Sequence, residues 1–196
     1  MRFSSCGRRR DVQPDFSEFA TRRRRLLGAG ASLAAGLALG PALSLAQPAG
    51  QRRLKFYHLH TGERLSAVYF ADQALVESEC HAIDRVLRDF RTGDVAEIDR
   101  NLLDFLWRLQ QSVGVDGEFQ VISGYRSPKT NEDLRAAGRG VAQGSLHTRA
   151  QAIDTRLPGC PLTDLRQAAL ELQLGGVGFY PKSDFIHIDT GRVRFW

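Results

Sequence analysis

Three side chains in this sequence have the types and local settings of a metal site. His147 and Asp154 share the stretch Ser145-Leu146-His147-Thr148-Arg149-Ala150-Gln151-Ala152-Ile153-Asp154, and His187 stands in Phe185-Ile186-His187-Ile188-Asp189. Two imidazoles and one carboxylate suit a catalytic Zn2+, which takes three protein ligands and keeps a fourth position open for water. Such an ion activates water near neutral pH and polarises a scissile carbonyl. The implied chemistry is metal-assisted hydrolysis. Zn2+ is the expected cofactor, although ligand type alone does not separate it from other divalent ions.

Two strands are needed to bring these groups together. Ala152 to Leu157 reads as one and Phe185 to Thr190 as the other. Side chains alternate between faces along a strand. His187 and Asp189 therefore share one face, and Ile186 and Ile188 the other. Asp154 points away from Ile153 and Leu157. If the strands are neighbours, their apolar faces enter the core and Asp154 meets His187 on the other side. His147 would arrive from the preceding loop. Any one of these residues alone is more often a hydrogen-bonded structural group.

Hydrolysis also needs a general base within hydrogen-bond reach of the water. Two acids compete. Asp184 lies three residues before His187, in a turn after Pro181-Lys182-Ser183, a natural place for a solvated Asp. Asp189 lies two residues after His187 on the same strand face, where it can instead orient the imidazole. Arg126 follows a predicted strand and precedes a helix start, where its charge opposes the helix dipole. Its planar fork suits a carboxylate.

Ser145, His147, Ala152 and Asp154 resemble the S-x-H-x-x-G-x-A-x-D motif of the M15 zinc D-Ala-D-Ala and L,D-peptidases. From about Arg53 to Trp196 the chain is similar to the YcbK/DUF882 branch, the MepK-type murein endopeptidases. The shared phrases are His60-Thr61-Gly62-Glu63, Leu87 to Gly93, Ser123 to Pro128, the Ser145 motif, Gly175 to Pro181 and Phe185 to Trp196. One departure is Ala150, where the motif has glycine; a left-handed backbone there carries a penalty.

This resemblance implies an α+β domain, a small antiparallel sheet with helices packed on it, of the D-Ala-D-Ala metallopeptidase and hedgehog type. It implies that His147, Asp154 and His187 hold zinc. Arg126 would grip substrate or developing oxyanion charge, and Ser145 would brace the loop or bind substrate backbone. Asp184 matches the acid of the E-x-x-H or D-x-x-H arrangement and is favoured slightly as base, with Asp189 in support. The implied substrate is the peptide cross-link of peptidoglycan. A D,D- or L,D-carboxypeptidase and a non-catalytic wall-binding module are the alternatives.

The net charge of +5 does not indicate a nucleic-acid partner. Of 27 basic and 22 acidic residues, eight and three lie in residues 1–46, leaving 19 of each in the rest. The basic excess belongs to a leader. Thr21-Arg22-Arg23-Arg24-Arg25-Leu26-Leu27 precedes an apolar stretch to Leu45, and Ser44-Leu45-Ala46 supplies small residues for cleavage. This pattern looks like a twin-arginine export signal. It predicts passage through the Tat machinery, a periplasmic protein beginning near Gln47, and no stable membrane anchor after cleavage. An uncleaved anchor is the competing reading of the same stretch. Residues 47–196 then form one zinc peptidase domain.

Cys80 and Cys160 remain in that domain. Export to an oxidising compartment permits a bridge, and two unpaired thiols fit the sequence equally. Arg53 to His60 and Arg64 to Ala71 read as a hairpin. Helices are expected over about Glu77–Phe90, about Asp99–Ser112, from Pro128 to Gly138 and after Thr163. Further strands are expected at Phe119–Ser123, Val177–Tyr180 and Val193–Trp196. Helices and short strands mix without a βαβ repeat, which favours α+β. His58 and His60 share a strand face but have no third ligand nearby, so they read as structural.

Overall fold

The computed structural model describes residues 50–196. The leader expected at 1–46 lies outside the described residues. Among them, no helix is long and apolar enough to cross a membrane.

The domain opens with a hairpin, β1 (Arg52–His58) and β2 (Arg64–Ala71), extended by β3 (Ala74–Leu75). Alternation decides its faces. Leu54, Phe56 and His58 of β1 and Ala67 and Tyr69 of β2 are fully buried, while their neighbours are not. Helix α1 (Glu77–Val86) packs on β2 through Cys80 and Ile83. Helix α2 (Arg100–Val113) follows, with Asp99 accepting a hydrogen bond from Asn101 N at 2.9 Å as its cap. Gly114, at φ 66, ends it in the left-handed conformation common at helix C-termini. Leu102, Leu103, Phe105, Leu106 and Leu109 are fully buried, and each such side chain contributes about 1.5–3 kcal/mol.

Strand β4 (Phe119–Ser123) runs parallel to β1 and places Phe119 beside Phe56. Then come α3 (Pro128–Ala136), β5 (Ala152–Arg156), α4 (Leu162–Leu172), β6 (Gly176–Tyr180), β7 (Phe185–Asp189) and β8 (Arg194–Phe195). The strands form one sheet in the order β3-β2-β1-β4-β5-β7-β6-β8. This is the expected α+β domain, a sheet with helices packed on it; the sheet is eight-stranded and mostly antiparallel, with β1–β4 and β6–β8 as parallel pairs. Both join strands distant in sequence, so no hairpin signal announced them.

Two local expectations shift. The apolar stripe pointed to a helix running to Phe90, but α1 ends at Val86. The next turn is bound elsewhere: Leu87 O accepts from Tyr125 N at 2.7 Å, and Asp89 Oδ2 accepts from Ser127 N at 2.8 Å. Cys80 and Cys160 are free thiols, so the bridge is not formed. The expected start of α3 is as read, with Ser127 Oγ accepting from Thr130 N at 3.2 Å and Pro128 in the first turn.

Candidate metal centre

Strands β5 and β7 pair antiparallel with Asp154 directly opposite His187. Ile153, Ile186 and Ile188 are buried in the core. The alternation therefore leaves Asp154, His187 and Asp189 on the other face, as the sequence predicted. His147 comes from a short 3-10 turn, Leu146–Arg149, which Ser145 starts. The Ser145 carbonyl accepts from Thr148 N and Thr148 Oγ1, so Ser145 braces the turn through its backbone. The turn ends at Ala150, at φ 56 and ψ 29. The left-handed penalty is thus realised, at about 1–2 kcal/mol.

His147 Nδ1 donates to Gly124 O at 2.7 Å, which fixes the tautomer and leaves Nε2 facing the pocket. Nε2 lies 3.2 Å from His187 Nδ1 and 3.3 Å from Asp154 Oδ1, and His187 Nδ1 lies 2.9 Å from the same oxygen. Two ligand atoms about 2.1 Å from a tetrahedral metal stand about 3.4 Å apart. The triangle is one face of such a tetrahedron, slightly contracted. Among the described residues it is the one group of His, Cys, Asp or Glu able to hold a metal ion. His147 would bind through Nε2 and His187 through Nδ1.

The surroundings supply the electrostatics. Burial disfavours the Asp154 carboxylate, yet His147 and His187 more than offset it and hold its pKa below the usual range. Burial likewise opposes charge on His187, but hydrogen bonds to Asp154 and Asp189 win and raise its pKa. His187 Nε2 donates to Asp189 Oδ2 at 2.9 Å. Asp189 is fully buried. Its Oδ1 also accepts from Gly176 N, Gly191 N and Arg194 Nη1, and its Oδ2 from Arg194 Nη2. Against the cost of burial, His187, Arg194 and Gly191 N lower its pKa. Asp189 thus orients the imidazole and has little acceptor capacity left.

Arg126 is buried beside Asp154, with Nη2 3.8 Å from Asp154 Oδ2 and donating to Ser123 Oγ at 3.3 Å. Its Nε has no hydrogen-bond partner. Asp184 is placed differently. Its side chain is 63 % exposed, ion-paired with Arg156, and does not line the pocket that contains the triad.

That pocket has a volume of about 420 Å3. One wall is aromatic. Trp196 Nε1 donates to Tyr180 Oη at 2.8 Å, Tyr180 stacks on Phe185, and the Trp196 ring centroid lies 5.3 Å from that of His187. A Cβ on Gly178 would come within 2.8 Å of the Trp196 ring, so a side chain there would displace it.

Four contributors escaped the sequence reading: the Gly124 carbonyl, Arg194, the aromatic wall and Asp89. Asp89 accepts from Ser127 N and, at 2.9 Å, from Arg91 N, and so fixes the segment carrying Arg126 and Gly124. Burial works against its charge, but hydrogen bonds from Thr130, Arg91 and Ser127 hold its pKa down at about 2. It lies inside the Leu87–Gly93 phrase, whose resemblance was the available signal.

Comparison with known proteins gives the family. Residues 46–196 match the family model Peptidase_M15_2, described as peptidoglycan L,D-endopeptidase MepK. The chain belongs to that peptidase family. It is 42 % identical over 180 residues to the peptidoglycan L,D-endopeptidase MepK of Escherichia coli K12, covering 91 % of this chain and 99 % of the relative. It is 38 % identical over 177 residues to the probable peptidoglycan L,D-endopeptidase MepK of Haemophilus influenzae, covering 89 % and 95 %. No solved structure matches it significantly.

Proposed function

We propose that this chain is a zinc-dependent endopeptidase of the peptide cross-links of peptidoglycan, acting in the periplasm after export by the twin-arginine route. The single observation that carries the chemistry is the convergence of His147 Nε2, Asp154 Oδ1 and His187 Nδ1. The substrate class follows from the family, whose named members are peptidoglycan L,D-endopeptidases. Bound zinc would supply Lewis acidity toward the scissile carbonyl and activate water.

The chain's own residues do the rest. Arg126, desolvated and with an unused Nε–H, offers fixed positive charge where oxyanion charge develops. Ser145 lines the pocket beside His147, which supports a contact with substrate backbone. Asp189 has five donors on its two oxygens, which keeps it on His187. Base work falls to Asp184, whose one partner is Arg156. It must leave that partner to take a proton from the attacking water, and apo geometry often tightens only when substrate binds. The aromatic wall offers apolar surface to substrate beside His187.

The test is digestion of purified sacculi by the mature protein, with metal analysis and identification of the released muropeptides. The expected result is about one zinc per chain and loss of cross-linked dimers in favour of monomers. Release of single terminal residues with cross-links intact would make it a carboxypeptidase, and binding without turnover would make it a wall-binding module. A precursor that still carries residues 1–46 after export would refute the cleaved signal.

A further inference from the structure

Three arginines line the metal pocket: Arg126, Arg139 and Arg194. Two are committed. Both terminal nitrogens of Arg194 are on Asp189, and Arg126 faces Asp154 and Ser123. Arg139 is exposed, and no side-chain hydrogen bond or ion pair engages it among the described residues. The acids lining this pocket are Asp154 and Asp189. Both are already answered by imidazoles and by the other two arginines, and a divalent ion on the triad would add two positive charges. Arg139 is therefore a cation without a counter-ion among the described residues, beside a triad where a bound divalent ion would add further positive charge. Such repulsion serves an anionic ligand.

The backbone beneath it is held while the side chain is free. Arg139 N donates to Leu134 O at 3.1 Å and Gly138 N to Arg135 O at 3.0 Å. Further along, Asn131 Nδ2 donates to Ala142 O at 3.2 Å. Gly138 and Gly140, at φ 68 and 67, turn the chain on either side of Arg139 in a conformation other residues rarely adopt. The result is an exposed guanidinium at the pocket, its own amide anchored on Leu134 O, with its fork open for a planar anion.

The L,D bond supplies that anion. It joins the carbonyl of an L-configured centre to the nitrogen of a D-configured one. The carbon bearing that nitrogen also bears a carboxyl group. Where the nitrogen belongs to the side-chain end of a diamino-diacid bridging two stem peptides, this carboxyl lies outside the main chain and is ionised. We propose that Arg139 is a specificity-determining residue that binds the carboxylate on the leaving side of the scissile bond. The proposal rests on the endopeptidase reading above.

The experiment compares two cross-linked dimers that differ only in whether this carboxylate is free or amidated, with kcat and KM measured for wild type, Arg139→Ala and Arg139→Glu. Zinc content and the circular dichroism spectrum confirm that each variant is folded and loaded. For wild type, amidation should lower kcat/KM by roughly tenfold or more, chiefly through KM, as expected for a charge-assisted contact made equally in ground and transition states. Arg139→Ala should hydrolyse both dimers alike, at the rate wild type shows on the amidated one. Arg139→Glu should prefer the amidated dimer. If Arg139→Ala keeps the wild-type preference, or wild type shows none, the assignment is wrong while the endopeptidase reading stands. If wild type cleaves neither dimer, the endopeptidase reading fails and takes this one with it.

Discussion

The protein holds two pairs of neighbouring histidines, and they have opposite properties. His58 and His60 stand at the end of β1 with ring centroids 6.0 Å apart; His147 and His187 stand 5.0 Å apart in the pocket. In the first pair one ring nitrogen serves the chain itself. His58 Nδ1 accepts from His60 N and Thr61 N, and the His60 ring stacks on Phe90 at 4.1 Å. Burial, then the neighbouring His60, push the His58 pKa down to about 4. In the second pair one nitrogen of each ring is tied to a fixed acceptor, and the other is left to converge on Asp154. There the carboxylates outweigh burial and the His187 pKa rises. Two adjacent imidazoles are not a metal site. A shared carboxylate and an outer acceptor for each ring are what the second pair adds, and what a metal site needs.

The largest test of this contrast is direct. His147→Ala, Asp154→Ala and His187→Ala should each strip zinc and reduce sacculus hydrolysis to background, whereas His60→Ala should leave both unchanged. Full zinc content without His187 would break the comparison at once. The two acids come next. Asp184→Asn should slow turnover by roughly 10²–10⁴-fold with zinc retained. Asp189→Asn, which frees the His187 ring, should weaken zinc affinity by about 10–100-fold, read by competition with a chelator. The opposite pattern would move the base role to Asp189.

A smaller effect belongs to the first pair. The folded His58 pKa lies below the ordinary 6.5, at about 4. The unfolded chain therefore binds more protons in that window, so stability present above about pH 6.5 declines as pH falls towards 4. The loss amounts to about 3 kcal/mol. His58→Asn keeps an acceptor for the His60 and Thr61 amides but cannot protonate. Denaturant titrations across this range should show a flatter pH dependence in the variant, with zinc unaffected; parallel curves would remove His58 from the account. The smallest effect lies outside both pairs. Gln173 ends α4 at φ 51 and is exposed. Gln173→Gly should stabilise by about 1 kcal/mol, seen as a higher Tm, with activity unchanged.

The triad was legible because its geometry is local in two places. Strand alternation put Asp154 and His187 on polar faces, and the paired register then set them opposite each other. Capping chemistry likewise fixed the start of α3 at Ser127. What stayed hidden depends on partners far along the chain. Nothing near Val86 says that the helix must stop so that Leu87 and Asp89 can meet Tyr125 and Ser127. Nothing near Phe56 says that Phe119 will lie beside it in parallel. Arg194 is only an arginine until Asp189 is known to be buried. The position of Asp184 beside Arg156 is also a tertiary fact, invisible to a motif four residues long.

The bonds from Leu87 and Asp89 to Tyr125 and Ser127 have a consequence for dissecting the protein. Every ligand of the proposed centre lies between β4 and β8, which invites excision of that half as a miniature hydrolase. Yet Asp89 fixes the segment that carries Arg126 and the Gly124 carbonyl. Asp99, from the same first half, accepts from Thr190 Oγ1 at 2.7 Å, and its amide donates to Ala150 O at 3.0 Å. The first half thus fastens the scaffold beneath the pocket at both edges. A fragment with all three ligands and neither fastening would lack the rigidity that holds them 2.9–3.3 Å apart. The half of the domain without the triad is the jig in which the half that carries it is held.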